Sequence, residues 1–381
     1  MALIEDRHRT GPQIHALIIG VGAYPYLHDP KYQSFRNKLP ADLRNLEPLP
    51  SAPLSALELV RWLKSEYDNS SVPLGTIECL LSDPARPAEF TAMSATIDNI
   101  QDAFDRWYER CDADIGNTAL FYYCGHGFMK TSTALLSEDF GHHPHEPFVD
   151  TINFDSMEMG MRGCNASTQL FFADACRQIP RTALQMINDL PSRSLVSSLA
   201  GSFKIRRMLR ANAAVPNTQA HTRSGQITQF TRALLQSLEG QGSERGPGGQ
   251  WVVTINGLNN AIHDAVDRLL LIPGTPDQSC EIRTEKGSKH IIHVLPGVPE
   301  VPIRIGCRPN EVIGFAVLSL NRVRDATVVK VRVPPQPQPW ELTVPADQYL
   351  VTASFADNSY PCKSLDIWAT PPSVTDNIVF A

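Results

Sequence analysis

Short apolar runs alternate with helical periodicity through the first three quarters of the chain. His15-Ala-Leu-Ile-Ile-Gly-Val21 is continuously apolar and ends in glycine, the pattern of a central strand covered on both faces. Thr76-Ile-Glu-Cys-Leu-Leu81, Thr118-Ala-Leu-Phe-Tyr-Tyr123 and Thr168-Gln-Leu-Phe-Phe-Ala-Asp174 repeat that composition. Between them, Leu54, Leu57, Val60 and Leu63 recur at helical spacing after Pro53, which a first helical turn tolerates. Ile97, Ile100, Phe104 and Trp107 form a second apolar stripe in a helix expected from Thr91 to Cys111. Later elements are a short helix at Phe154 capped by Asp155 or Ser156, and a strand over 203–212. Helices over 227–238 and 258–271 and strands over 251–255 and 289–294 complete this part. Residues 23–50 are expected as a surface loop, 131–153 as a small hairpin, and 178–202 as a mobile connection.

Strands alternating with amphipathic helices predict an α/β domain with a mostly parallel central sheet flanked by helices. Pro296-Gly-Val-Pro-Glu-Val-Pro302 breaks the composition, and beyond it the helical period disappears. The expected division is therefore 1–295 and 296–381, the second part a small all-β accessory domain. Its strands are expected at 312–319, 327–333, 340–344 and 349–355, with Pro334-Pro-Gln-Pro-Gln-Pro339 as a rigid connector. The Trp340-Glu-Leu-Thr-Val stretch resembles prealbumin-like accessory domains of bacterial enzymes.

Composition narrows the classes. A length of 381 residues exceeds one compact core, and 42% hydrophobic with 19% charged residues describes an ordinary globular chain. A net charge of −6 without long Lys/Arg runs argues against nucleic-acid binding. No apolar stretch reaches bilayer length, so no membrane partner is expected. The N-terminus carries no secretion signature, and eight scattered cysteines without a Cys-x-x-Cys pair suit a cytoplasmic protein with reduced thiols. No cofactor is expected: Gly20-Val-Gly22 lacks the third glycine or the Gly-Lys-Ser/Thr of a phosphate loop. Nor is a metal, since Pro144 interrupts the Gly141-His-His-Pro-His145 run and no matching carboxylate spacing accompanies it.

Ligands of a parallel sheet gather at the carboxyl ends of its strands. The third strand delivers His126 in a Gly125-His-Gly127 turn, and the fourth delivers Cys176 after Asp174-Ala175. A thiol titrates near ~8.5, so a neighbouring imidazole is needed to take its proton and later return it to a leaving amine. The backbone N–H groups of Gly127 and Cys176 are candidates for an oxyanion hole, because glycine permits close approach of substrate.

Tyr123-Cys-Gly-His-Gly127 and Asp174-Ala-Cys-Arg177 resemble the His and Cys motifs of caspase-like cysteine peptidases, including metacaspases and their bacterial relatives. The separation of the two residues, 176 − 126 = 50, also matches caspases. The resemblance covers roughly residues 14–294, with Ala16-Leu-Ile-Ile-Gly20 and Gln229-Phe-Thr-Arg-Ala-Leu-Leu235 as supporting flanks. It implies a caspase-like sandwich, His126 as general base, Cys176 as nucleophile, and protein or peptide substrates. In metacaspases the residue equivalent to Asp174 pairs with a substrate Arg or Lys, which implies cleavage after Arg, then Lys.

One departure affects that preference. Metacaspases carry a second Asp at the start of the first helix, where this chain has Leu54-Ser-Ala56. Ser55 stands in its place, leaving a less selective pocket or a carboxylate from elsewhere, with Asp139 and Asp155 as candidates. Arg177 is read equally as a substrate contact or an ordinary ion pair, and Cys124 as packing rather than a redox thiol. Arg181 and Arg193 in the 178–202 connection would allow self-cleavage. The resemblance also implies activation by a partner and a role in stress, antiviral defence or cell death. A catalytically silent interaction protein on the same fold is the competing class.

Overall fold

The computed structural model describes residues 2–7, 9–82, 93–186, 188–197, 206–215, 225–271, 279–287, 289–357 and 359–380. These fall into two compact units, one of residues 1–235 with 266–290 and the other of 236–265 with 291–381.

In the first unit, β1 (Leu3–Asp6) and β2 (Ile14–Val21) precede three single-turn helices. These are α1 (Pro25–His28), α2 (Gln33–Arg36) and α3 (Ala41–Arg44). Then follow α4 (Ser51–Ser65), β3 (Leu74–Ser82), α5 (Ile97–Asp112) and β4 (Thr118–Gly125). A side sheet of β5 (Gly127–Met129), β6 (Thr133–Leu136) and β7 (Thr151–Asn153) leads into α6 (Phe154–Met161). The unit continues with β8 (Thr168–Ala175), α7 (Arg181–Gln185), β9 (Arg207–Asn212) and α8 (Gln229–Gln236). The chain passes through β10 (Ser243–Arg245), β11 (Trp251–Thr254) and α9 (Ile255–Leu270) before β12 (Glu281–Glu285) returns to the first sheet.

That sheet has the order β1-β3-β2-β4-β8-β9-β12, parallel in its middle and antiparallel at both edges. Its central strands are buried along their whole length, as their unbroken apolar runs require. Trp107, Phe104 and Ile100 of α5 pack beneath it with Phe121 and Phe171, and the Trp107 indole N–H donates to the His15 carbonyl at 2.9 Å. The expected α/β architecture with a mostly parallel sheet is what the chain adopts.

Several local expectations need correction. Thr91 lies outside the described residues; α5 begins at Ile97, where the Thr96 hydroxyl accepts the Asn99 N–H. α6 is capped by Asn153, whose side chain takes the Ser156 N–H, rather than by Asp155 or Ser156. Residues 23–50 are not a loose surface loop. They close with the Leu49 N–H on the Gly22 carbonyl at 2.8 Å, and bury Leu27, Leu39 and Leu43.

In the described part of the connection after Cys176, residues 178–186 and 188–197, the chain is likewise anchored. Arg193 exchanges backbone hydrogen bonds with Thr151 and Asn153, each 2.8 Å, and Ala183, Leu190 and Leu195 are buried. Both edge strands, β1 and β12, escape notice in the sequence because neither is apolar: β12 reads Glu-Ile-Arg-Thr-Glu.

In the second unit, β13 (Ile291–Val294) pairs with β11, so the strand expected near 289–294 does not extend the large sheet. β14 (Glu300–Arg308), β15 (Val317–Arg322), β16 (Val328–Arg332), β17 (Trp340–Pro345), β18 (Gln348–Ser354), β19 (Lys363–Trp368) and β20 (Val374–Val379) follow. They form two sheets, β17-β14-β20 and β16-β15-β18-β19, that share one apolar cluster including Ile303, Leu318, Tyr349, Val351 and Ile378. The all-β character is as expected. Residues 310–314 are a 3-10 turn rather than strand, and β14, β19 and β20 join the set.

One buried hydroxyl ties the sheet to the segment above it. Ser82, at the carboxyl end of β3, accepts the N–H groups of Gly22 at 2.7 Å and Ala23 at 3.0 Å. Removing that oxygen leaves a buried donor unpaired. Ser82→Ala should therefore cost about 1–3 kcal/mol in urea unfolding, whereas loss below ~0.5 kcal/mol would show the donors find other partners.

Candidate active site

The parallel pairing of β4 with β8 decides the geometry. Cys124 is level with Asp174 and Gly125 with Ala175, and a bridge between Phe128 and Gln178 carries the same register onward. His126 and Cys176 each follow directly on a paired strand end, between the Gly125–Ala175 pair and the Phe128–Gln178 bridge. Both line a cavity of about 390 Å³ together with Gly127, Asp174, Glu47 and Thr228. The sequence-predicted residues His126, Gly127, Asp174 and Cys176 are thus brought together.

The imidazole is held from the side the sequence reading overlooked. His126 Nε2 lies 2.7 Å from the Glu47 carbonyl, which can only accept, so the proton resides on Nε2 and Nδ1 keeps the basic lone pair. The His126 backbone N–H donates to the buried Tyr24 hydroxyl at 2.9 Å, and the two rings lie 5.2 Å apart. Burial is the main influence on His126 and holds its pKa below 6.5; the Glu47 bond opposes it and the nearby His28 reinforces it. An imidazole neutral at neutral pH is the protonation state a general base needs. Glu47 and Tyr24 escape sequence reasoning because Glu47 acts through its backbone and Tyr24 sits in a polar, proline-rich stretch.

Gly127 is sterically obligatory. A Cβ built there would stand 2.7 Å from the Cys176 carbonyl oxygen and 3.0 Å from Ala175 Cβ. Two residues along, the Met129 N–H donates to the Gln178 carbonyl at 3.0 Å. Cys176 is half-buried, and none of the eight cysteines forms a disulfide.

Asp174 is 2% exposed yet has no cationic partner among the described residues. Its Oδ2 accepts the hydroxyls of Thr228 and, at 2.7 Å, Thr231; its Oδ1 accepts no hydrogen bond from the described residues. Burial raises the carboxyl pKa, with the two threonines and the adjacent Cys124 thiol opposing. Ser55 is fully buried and does not line the cavity. Its hydroxyl accepts the Thr228 N–H at 3.0 Å, so Ser55 fixes a hydrogen-bond partner of Asp174.

The alternative carboxylates are committed elsewhere. Asp139 takes the Ile97 N–H and the Ser137 hydroxyl; Asp155 takes the Thr133 N–H and Arg210. Arg177 is buried in an ion pair with Glu281 of β12, the structural one of its two readings. Cys124 is buried beside Asp174 and Ser55, and burial keeps it a thiol by raising its pKa well above the usual value.

Gly127→Ala should leave folding intact by circular dichroism yet reduce any peptidase activity at least tenfold, since the methyl collides with backbone beside Cys176. Unchanged activity would show that the turn relaxes freely.

An uncharacterized protein from Sinorhizobium fredii is 25% identical over 274 residues, covering 69% of this chain and 77% of that protein. A probable protease from a Desulfuromonadales bacterium is 28% identical over 207 residues; the match takes in 52% of this chain but only 24% of that longer protein. Caspase-1 from Spodoptera frugiperda aligns with 73% of this chain and 93% of its own, at a TM-score of 0.42 and 14% identity. Among the described residues, no helix is long and apolar enough to cross a membrane. The model of the caspase-domain family matches residues 13–267, two thirds of the chain, and the protein belongs to that family of peptidases.

Proposed function

We propose that the chain is a cysteine endopeptidase with a Cys176–His126 dyad that cleaves after basic residues, Arg in preference to Lys. The observation that carries this reading is that both side chains, each just past the end of β4 or β8, line one cavity with a buried carboxylate whose Oδ1 accepts no hydrogen bond from the described residues.

In this mechanism His126 Nδ1 takes the Cys176 proton as sulfur attacks the substrate carbonyl. The N–H groups of Gly127 and Cys176 receive the charge that develops on oxygen. His126 then protonates the departing amine, leaving a thioester on Cys176. Water, deprotonated by His126, hydrolyses the thioester and restores the thiol. A substrate guanidinium reaching Asp174 would satisfy Oδ1, the lone pair that the threonines leave over.

The finer assignments follow from the same reading. A protein or peptide is the substrate, and an activating or inhibitory partner acts in a bacterial stress or defence response. Residues 296–381 serve as the accessory domain. Self-processing would fall at Arg181, which is exposed at the start of α7, rather than at Arg193, whose backbone is paired with β7.

Cleavage of a peptide library tests these assignments together. Wild type should cut after Arg and Lys, Cys176→Ala not at all, and His126→Ala about 10²–10⁴-fold more slowly. Asp174→Asn should lose about 2–5 kcal/mol of transition-state binding for Arg peptides while sparing neutral ones. A flat residue profile in wild type would remove the Asp174 assignment.

The pH dependence has a definite sign. The depressed His126 pKa puts the acid limb of kcat/KM below pH 6.5, since protonation removes the base. The raised Asp174 pKa keeps that carboxyl neutral to higher pH than usual, so the preference for Arg over a neutral residue should grow as pH rises. A preference that falls with rising pH would contradict the role of Asp174.

A further inference from the structure

Four acidic side chains are buried among the described residues: Glu78, Asp150, Glu158 and Asp174. Glu78 is matched by Arg106 and Arg110, and Glu158 by Arg162 and Arg210. Asp174 belongs to the candidate active site. Asp150 is left, 2% exposed, with neither Lys nor Arg paired to it. Its ion-pair partner is His143, whose Nδ1 lies 2.9 and 3.1 Å from the two carboxylate oxygens. Among the described residues no Lys or Arg lies within ion-pair distance of this buried carboxylate, which leaves room for another cation to reach it.

The surrounding turn is well anchored. The Ser137 hydroxyl donates to the Asp150 carbonyl at 2.7 Å, and the His142 N–H donates to the Asp139 carbonyl at 2.9 Å. Phe140 and Phe148 are fully buried on either side of the histidines. Gly141, at φ +94°, lets the turn press against Leu27, Leu39 and Tyr26. The His142 ring is tilted against Tyr26 with centroids 4.9 Å apart and lies 4.5 Å from the His143 ring. One ligand atom each from His142, His143 and Asp150 falls within 4.8 Å of the others.

We propose that His142, His143 and Asp150 form a binding site for a divalent transition ion of the zinc class. Two imidazoles and a carboxylate are a borderline donor set that suits zinc and its neighbours rather than calcium or magnesium. Ligand atoms on a tetrahedral zinc lie about 3.3 Å apart, given bonds of about 2.0 Å. The His143–Asp150 separation of 2.9 Å already approaches that value, so the ion would sit between the two side chains. His142 is exposed and closes the remaining gap by side-chain rotation. Water would complete the coordination. The sequence run Gly141-His-His-Pro-His145 gives no sign of this, because the third donor comes from Asp150 at the foot of β7 rather than from His145.

Co²⁺ is the probe, titrated into full-length Cys176→Ala chain so that the dyad thiol contributes no ligand. One equivalent should produce visible bands of four-coordinate cobalt, which Zn²⁺ then abolishes. His142→Ala and His143→Ala, both exposed positions, should each weaken Co²⁺ at least about tenfold, and Asp150→Asn likewise. His145→Ala should change nothing. If Asp150→Asn fails to fold, the two histidine variants decide. Absent bands, bands that survive both histidine substitutions, or equal loss in His145→Ala would overturn the site.

Discussion

The register of β4 against β8 is the constraint on which the candidate site depends. Two parallel strands, buried on both faces, can slip only by moving whole apolar side chains into the wrong layer. Phe121 beside Phe171 and Leu120 beside Leu170 therefore lock the pairing well below the strand ends. Above them, with no side chain of their own to specify it, His126 and Cys176 arrive level. The rigid part of the sheet thus aligns two residues that lie on its less regular tips, and Gly127 supplies the one position where backbone must approach backbone.

Buried charge separates structural from chemical positions. Glu78 and Glu158 carry guanidinium partners, which make their burial self-sufficient. Among the described residues Asp174 has two threonine hydroxyls but no cation, and Asp150 has one imidazole. A carboxylate kept in a low-dielectric place without a matching charge is stabilised by whatever cation reaches it. For Asp174 the adjoining cavity suits an organic cation; for Asp150 two imidazoles nearby suit a metal. Ser55 fits this scheme as an orienting residue, holding the Thr228 that in turn holds Asp174.

The stretch from Gly22 to Leu49 links these features. Tyr24 supports the His126 backbone, the Glu47 carbonyl fixes the imidazole tautomer, and the Tyr26 ring packs at a tilt against His142. Ser82 secures its beginning from the sheet. Polar and proline-rich in sequence, it works through backbone groups and aromatic edges, which carry no periodic signal.

The sequence by itself determined the α/β class, the all-β tail and the strand-end positions of His126 and Cys176. Each follows from local apolar runs and glycine turns whose meaning does not depend on distant partners. Family membership was legible for the same reason: Gly-His-Gly and Asp-Ala-Cys-Arg are contiguous. Edge strands β1 and β12 were not, because an edge needs no apolar run to pair. Nor could spacing reveal that Ser55 serves Asp174 across 119 residues through Thr228, or that Asp150 meets His143 across a closed turn. Those relations arise from hydrogen bonds between side chains whose neighbours in space are not neighbours in the chain. Only the folded packing decides which buried oxygen is answered and which is left to a ligand.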